Sequence, residues 1–281
     1  MRRALFTLVL CLGAAAVQAQ WVNYPTPGLP RGKDGKVLLN APAPRTKDGK
    51  PDLSGVWHVE PTGLTEMKRL FGNDVDALDV PGMEAHTISK YGISVLVDFK
   101  PEDSPLRKEV AEEIARNNRH ETGIDNLARC LPGGIPLGTM LSEFTKIVQT
   151  PGLTLVMHEL DNATRQIYTD GRPFPKDPSG SWLGSSTGHW ERDTLVVETI
   201  GFNGKAPLDI IGNPRSEKMR ITERYRRRDV GHLDVEITFD DPVAYSRPFT
   251  IKVTHELQPD TDVLEYFCNE NEKDRVHLEK R

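Results

Sequence analysis

The chain has 281 residues, 37% hydrophobic and 27% charged, with 36 basic against 41 acidic side chains and a net charge of −5. That length suits one large domain or two small ones, and the apolar share is enough for a folded core. The acidic balance excludes a general nucleic-acid binder, while leaving room for a local basic patch.

In MRRALFTLVLCLGAAAVQA (1–19), Arg2 and Arg3 precede an apolar run that ends with small residues at Val17 and Ala19. This is the pattern of a secretory signal cleaved after Ala19, giving a periplasmic or secreted protein. The run is about 12 residues, too short to span a bilayer, so no stable membrane insertion is expected. Cleavage removes Cys11 and leaves Cys130 and Cys268. In an oxidising compartment these are most simply a disulfide, the alternatives being buried thiols or a reactive cysteine. Neither has a His or Cys beside it at ligand spacing, so no metal and no other cofactor is expected.

Residues 20–52 are rich in Pro, Gly and Lys and lack periodicity, which reads as an extended arm on the domain or a flexible leader. LSGVWHVE (53–60) is the first strand. A helical insertion, 62–129, follows; its clearest helix is SPLRKEVAEEIARNNR (104–119), with Ser104 as cap and Pro105 in the first turn. CLPGGIPLG (130–138) is a rigid loop. The rest alternates between strands and short turns: 144–150, 153–160, 164–170, 184–190, 193–202, 217–229, 231–239, 249–257 and 263–268. No helices separate them, so the fold class is mainly β: an antiparallel meander closed as a lipocalin-like barrel, a single domain over 53–281.

In RITERYRRRDVGHLDVEITFDDP (220–242), a three-residue loop Asp229-Val230-Gly231 with Gly231 left-handed sets Arg226 opposite Asp234, Arg224 opposite Glu236, and Arg220 opposite Asp240. The arginines then form a solvated charge ladder rather than a phosphate site. The same register turns Glu223 inward opposite Ile237, where a carboxylate is costly unless paired, hydrogen-bonded or protonated. His255 falls on the apolar face of 249–257, Glu159 goes with Leu153, Leu155 and Met157, and Glu198 with Val196 and Ile200. Polar groups inside a barrel point to an enclosed ligand.

Gly55-Val56-Trp57 resembles the Gly-x-Trp signature of lipocalins and related calycin barrels. The resemblance implies that Trp57 closes one barrel end against a basic residue, with Arg275 a candidate. The blocks PRTKDGKPDLSGVW (44–57), CLPGGIP (130–136), RQIYTDGRPFPKDP (165–178), HWERDTLVVETIGFN (189–203), the 216–242 hairpin and LEYFCNEN (264–271) are similar to a large group of secreted bacterial proteins of unassigned activity. The group's usual His-Ser pair before the TER strand stands here as Arg215-Ser216. That likeness implies a secreted single domain and supplies no reaction.

Three functions remain open. The first is a cofactor-free lyase, decarboxylase or isomerase acting on a small apolar or aromatic, even phenolic, molecule. Glu223, His255 and Tyr225 would carry protons, with the Glu223 pKa raised by apolar walls. Arg172, Trp182, His189, Glu198, Asp209 and Arg227 would hold the substrate. Phenolic acid decarboxylases use a similar barrel-and-proton logic, an analogy of fold alone. The second is a non-catalytic periplasmic small-molecule carrier or a carbohydrate-binding module, and the third is a structural role in which the inner polar groups satisfy one another. The proline-rich loop DGRPFPKDPSGSWLG (170–184) is read as a lid at the barrel mouth or as a rigid connection. The sequence leaves the oligomeric state open.

Overall fold

The computed structural model describes residues 24–72, 87–116 and 122–268. The expected signal segment and Arg275 lie outside them. Nine strands close into one barrel in chain order: β1 (Gly55–Val59), β2 (Thr145–Thr150), β3 (Leu153–His158), β4 (Thr164–Tyr168), β5 (Ser185–Glu191), β6 (Thr194–Ile200), β7 (Arg220–Arg227), β8 (His232–Asp240) and β9 (Phe249–Leu257). β9 returns to pair with β1.

The 220–242 register is as the alternation predicts: Arg226 faces Asp234, Arg224 faces Glu236, and Glu223 faces Ile237. Outside, Arg228 pairs diagonally with Asp234, Arg220 with Glu198 of neighbouring β6, Lys252 with Glu236 directly across β8–β9, and Arg224 reaches past β6 to Glu191 at the end of β5. Inside, Ile221, Tyr225, Leu233, Val235, Ile237, Phe239, Ile251 and Val253 share one core. Gly231 is not left-handed as expected. It is glycine because the chain crosses it closely: a Cβ there would lie 2.7 Å from the Leu39 Cβ. Residues 24–52 therefore form an arm on the domain, with Gly231 N–H donating to Leu39 O and Val230 N–H to Ala41 O.

Three expectations need correction. The barrel is not wholly antiparallel, because β4 and β5 run parallel. The 169–184 connection is therefore a crossover along the outside wall, as parallel neighbours require. Residues 263–268 form no strand; they run over the surface to the Cys130–Cys268 disulfide, which closes a separation of 138 residues. The clearest helix begins only at Lys108, because Leu106 bridges to Tyr245 and Ser246 N–H donates to Pro105 O, which holds the chain extended.

The insertion carries α1 (Leu64–Phe71), α2 (Lys90–Ile93), α3 (Lys108–Arg116) and α4 (Gly123–Ala128), then a 3-10 turn at Leu137–Thr139. It packs through its own small core of Met67, Ile88, Ile93, Leu137, Leu141, Leu160 and Ile210. Trp57 of β1 is buried, and its indole N–H donates to Leu53 O at 3.0 Å. The basic residue over that indole is Arg227, at 4.9 Å from the ring. Among the described residues no helix is long and apolar enough to cross a membrane.

Candidate functional site

Glu223 is 3% exposed and meets Arg165 of β4, itself 2% exposed. Arg165 Nη1 donates to Glu223 Oε1 at 3.1 Å, and Nη2 also donates to the carboxylate, making the pair bidentate. The Tyr225 hydroxyl donates to Glu223 Oε1 at 2.6 Å. Arg165 continues the chain, its Nε donating to Ser186 Oγ at 3.0 Å and Nη2 to Thr199 Oγ1 at 2.7 Å. The network thus links β4, β5, β6 and β7. Burial alone would lower the Arg165 pKa, but Glu223 outweighs it and holds it raised. Burial, and then the Glu223 charge, push the Tyr225 phenol well up. Tyr225 is thus a donor to Glu223 rather than a ready acid.

His255 and His158 lie farther along the interior. His255 Nε2 is 3.0 Å from Thr139 O, and His158 Nδ1 is 3.2 Å from Gly138 O. A carbonyl only accepts, so these nitrogens carry the protons. His255 Nδ1 and His158 Nε2 are left as buried lone pairs without a partner. Burial lowers both pKa values to about 4. Glu223, Tyr225 and His255 line one interior cavity together with Thr139, Thr145 and Trp57, but its volume is about 20 Å³. That is room for one water-sized molecule and not for an aromatic substrate.

A far larger space lies outside the wall. β4 and β5 pair only at Ile167–Ser186 and Tyr168–Thr187. Along this seam runs a groove of about 650 Å³ lined by Arg165, Gln166, Tyr168, Arg172, Phe174, Trp182 and Ser186, with Pro132, Pro173 and Pro175. The crossover supplies most of its aromatic and proline wall. The Arg172 guanidinium stacks 3.7 Å from the Tyr168 ring centre and forms an ion pair with Asp170. Arg165 and Ser186 belong both to the groove lining and to the buried network, while Glu223, Tyr225 and Thr199 lie behind the wall and do not line the groove.

The structure therefore gathers the expected residues in two places. Glu223, Tyr225 and His255 are inside; Arg172 and Trp182 are at the groove. The other four stand apart. His189 is exposed beside Glu191, and Glu198 is on the outer face with Arg220, because β6 turns Leu195, Val197 and Thr199 inward. Asp209 is a loop anchor, accepting from Val95, Gly212 and Asn213 N–H groups, with burial raising its pKa to about 6. Arg227 is committed to the barrel end, donating to the carbonyls of Asp52, Ser54, Asp229 and Val230. Glu159 also faces outward, accepting from Phe144 and Leu264 N–H groups; Thr154, Val156 and His158 are the inner face of β3. Sequence reasoning missed Arg165 and His158. Arg165 shares strand parity with the buried Ile167, which was the available signal.

No family model matches the chain, and no match was found among curated proteins or solved structures.

Proposed function

We propose that this protein binds a small, largely apolar planar molecule in the seam groove, outside the barrel rather than within it. The observation that carries the reading is the contrast of volumes: about 650 Å³ at the seam against about 20 Å³ inside. A groove of that size lies within the usual range for small-molecule sites, and its aromatic and proline lining with a few polar groups suits such a ligand. The Arg165–Glu223 network then acts as a stitch across the seam behind the groove. Secretion and membership in the group of secreted bacterial proteins are part of the same proposal. They are supported by the leader pattern, the shared blocks and the Cys130–Cys268 disulfide.

Intrinsic fluorescence titrated with a panel of phenolic and polycyclic aromatics tests the site. Binding weakened about tenfold or more in Trp182→Ala is expected; affinities equal to wild type would place the ligand elsewhere. A second reading, acid–base catalysis, is favoured by Glu223, Tyr225 and His255 lining one cavity. It requires the seam to open and admit substrate. Turnover of a panel compound that disappears in Glu223→Gln, while binding persists, would support it.

A further inference from the structure

β4 has one edge fully paired and the other partly open. Against β3 it pairs along its whole length, from Met157 opposite Thr164 to Leu153 opposite Tyr168. Against β5 it pairs only at Ile167 and Tyr168. Two flanking bonds tell which residues face which neighbour: His158 N–H donates to Ala163 O, and Thr169 N–H donates to Gly152 O. Odd positions of β4 therefore bond to β3. By the alternation of an antiparallel ladder, the N–H and C=O of Thr164 point the other way, toward β5.

Among the described residues no strand meets Thr164 on that side. Counting back from Ile167–Ser186, Leu183 would stand opposite it, yet the pairing stops short and no isolated bridge replaces it. Thr164 and Leu183 instead both line the groove. An open strand edge presents a donor and an acceptor ready to bond another extended chain. The Thr164 side chain is exposed on the outer face of the barrel. A residue paired with it would carry its own side chain on that same face, where Tyr168, Phe174 and Trp182 line the groove. Charge narrows the ligand further. Both arginines of the lining have their countercharge, Arg165 in Glu223 and Arg172 in Asp170. No spare charge is left there for a terminal ammonium or carboxylate.

We propose that the seam is a strand-addition site whose ligand is an internal, uncharged stretch of another polypeptide. It lies extended in the groove and runs antiparallel to β4, the direction in which one ligand residue can bond both backbone groups of Thr164. That residue is aromatic and sets its ring on the groove's aromatic wall. This rests on the groove-binding reading and names the planar group as an aromatic side chain.

The test is calorimetric titration of the full chain with Ala-Phe-Ala capped by acetyl and N-methylamide, and with the ester analogue in which oxygen replaces the phenylalanine N–H. The two probes share one shape and differ in one donor. Wild type should bind the amide about fivefold tighter or more. Thr164→Pro removes the N–H of the open edge without touching the β3 ladder, and Ala163 already has the extended φ −72°, ψ 133° that suits a residue before proline. This variant should weaken amide binding by a similar factor. In wild type, whatever the variant does, the Thr164 amide proton resonance should move downfield and exchange more slowly when the capped amide binds. Equal affinities for amide and ester, or an unmoved Thr164 signal, with both probes weakened in Trp182→Ala, would overturn strand addition and leave the groove standing. Tighter binding of the uncapped tripeptide would overturn the internal-segment assignment. Binding of the aromatic panel but of neither peptide would also overturn the proposal, and binding of none of these compounds would remove the groove reading with it.

Discussion

The β7–β8–β9 wall and the β4–β5 seam solve the same closure problem differently. β7 pairs with β8 over eight residue positions, and β8 with β9 over eight more. There the backbone ladder holds the wall, so the inward side chains are mostly apolar and the outward charges pair at the surface. At the seam the ladder lapses to two positions. Side chains take over, with Arg165 reaching Ser186, Thr199 and Glu223 from one strand to the next three. The buried Arg165–Glu223 network thus spans the stretch where the ladder is shortest, and the groove lies along that same stretch.

The sharpest way to break this comparison is to remove one charge. Glu223→Gln or Arg165→Met should each cost about 3–5 kcal/mol, because the partner is left buried and uncompensated. The double substitution Arg165→Met with Glu223→Leu should recover much of that loss. Urea unfolding midpoints measure both. A mild single-site effect would mean that the seam does not depend on the pair.

A somewhat smaller effect should come from acid. His158 and His255 titrate near 4 when folded, below the ordinary histidine value of about 6.5. Between those values the unfolded chain binds more protons than the folded one, so stability falls as pH falls from about 6.5 toward 4. The contribution is fully present above that window and amounts to about 3 kcal/mol per histidine at most. Because the rings bond to the carbonyls of Gly138 and Thr139, protonation should loosen that 3-10 turn before the β7–β9 wall. Hydrogen exchange at pH 5 should find faster exchange around 137–141 than in β8. Replacing both histidines with glutamine should flatten the pH dependence across the window, and an unchanged slope would remove them as its source.

What the sequence made legible divides along the same line. The β7–β8 register could be read to the residue because strict alternation, dense charge and a short turn leave one pairing that buries the apolar set. The inward turn of Glu223 followed from it. Its partner did not, since Arg165 comes from a strand 58 positions away, and a strand pattern does not say which neighbour completes a network. The parallel pairing was hidden for a related reason: a proline-rich connection looks the same whether it caps a hairpin or runs back along the wall. On β3, Leu153, Leu155 and Met157 look more apolar than Thr154, Val156 and His158, yet the second set is inside. Composition misleads where the interior is polar, and His158 was lost that way.

The smallest effect should come from the groove's exposed edge, which makes it the cleanest test of the division. Arg172 and Asp170 are about half and a third exposed, and their ion pair sits on the crossover rather than in the ladder. Exposed pairs contribute about 0–1 kcal/mol, so Arg172→Gln should leave the urea midpoint nearly unmoved. Its stacking on Tyr168 shapes the groove, however, and the same substitution should change the affinity for neutral aromatics by a few-fold. A stability loss comparable to that of Glu223→Gln would show that the crossover is part of the structural wall. A change in affinity alone would show that the seam carries its stability on the inner side and its ligand on the outer.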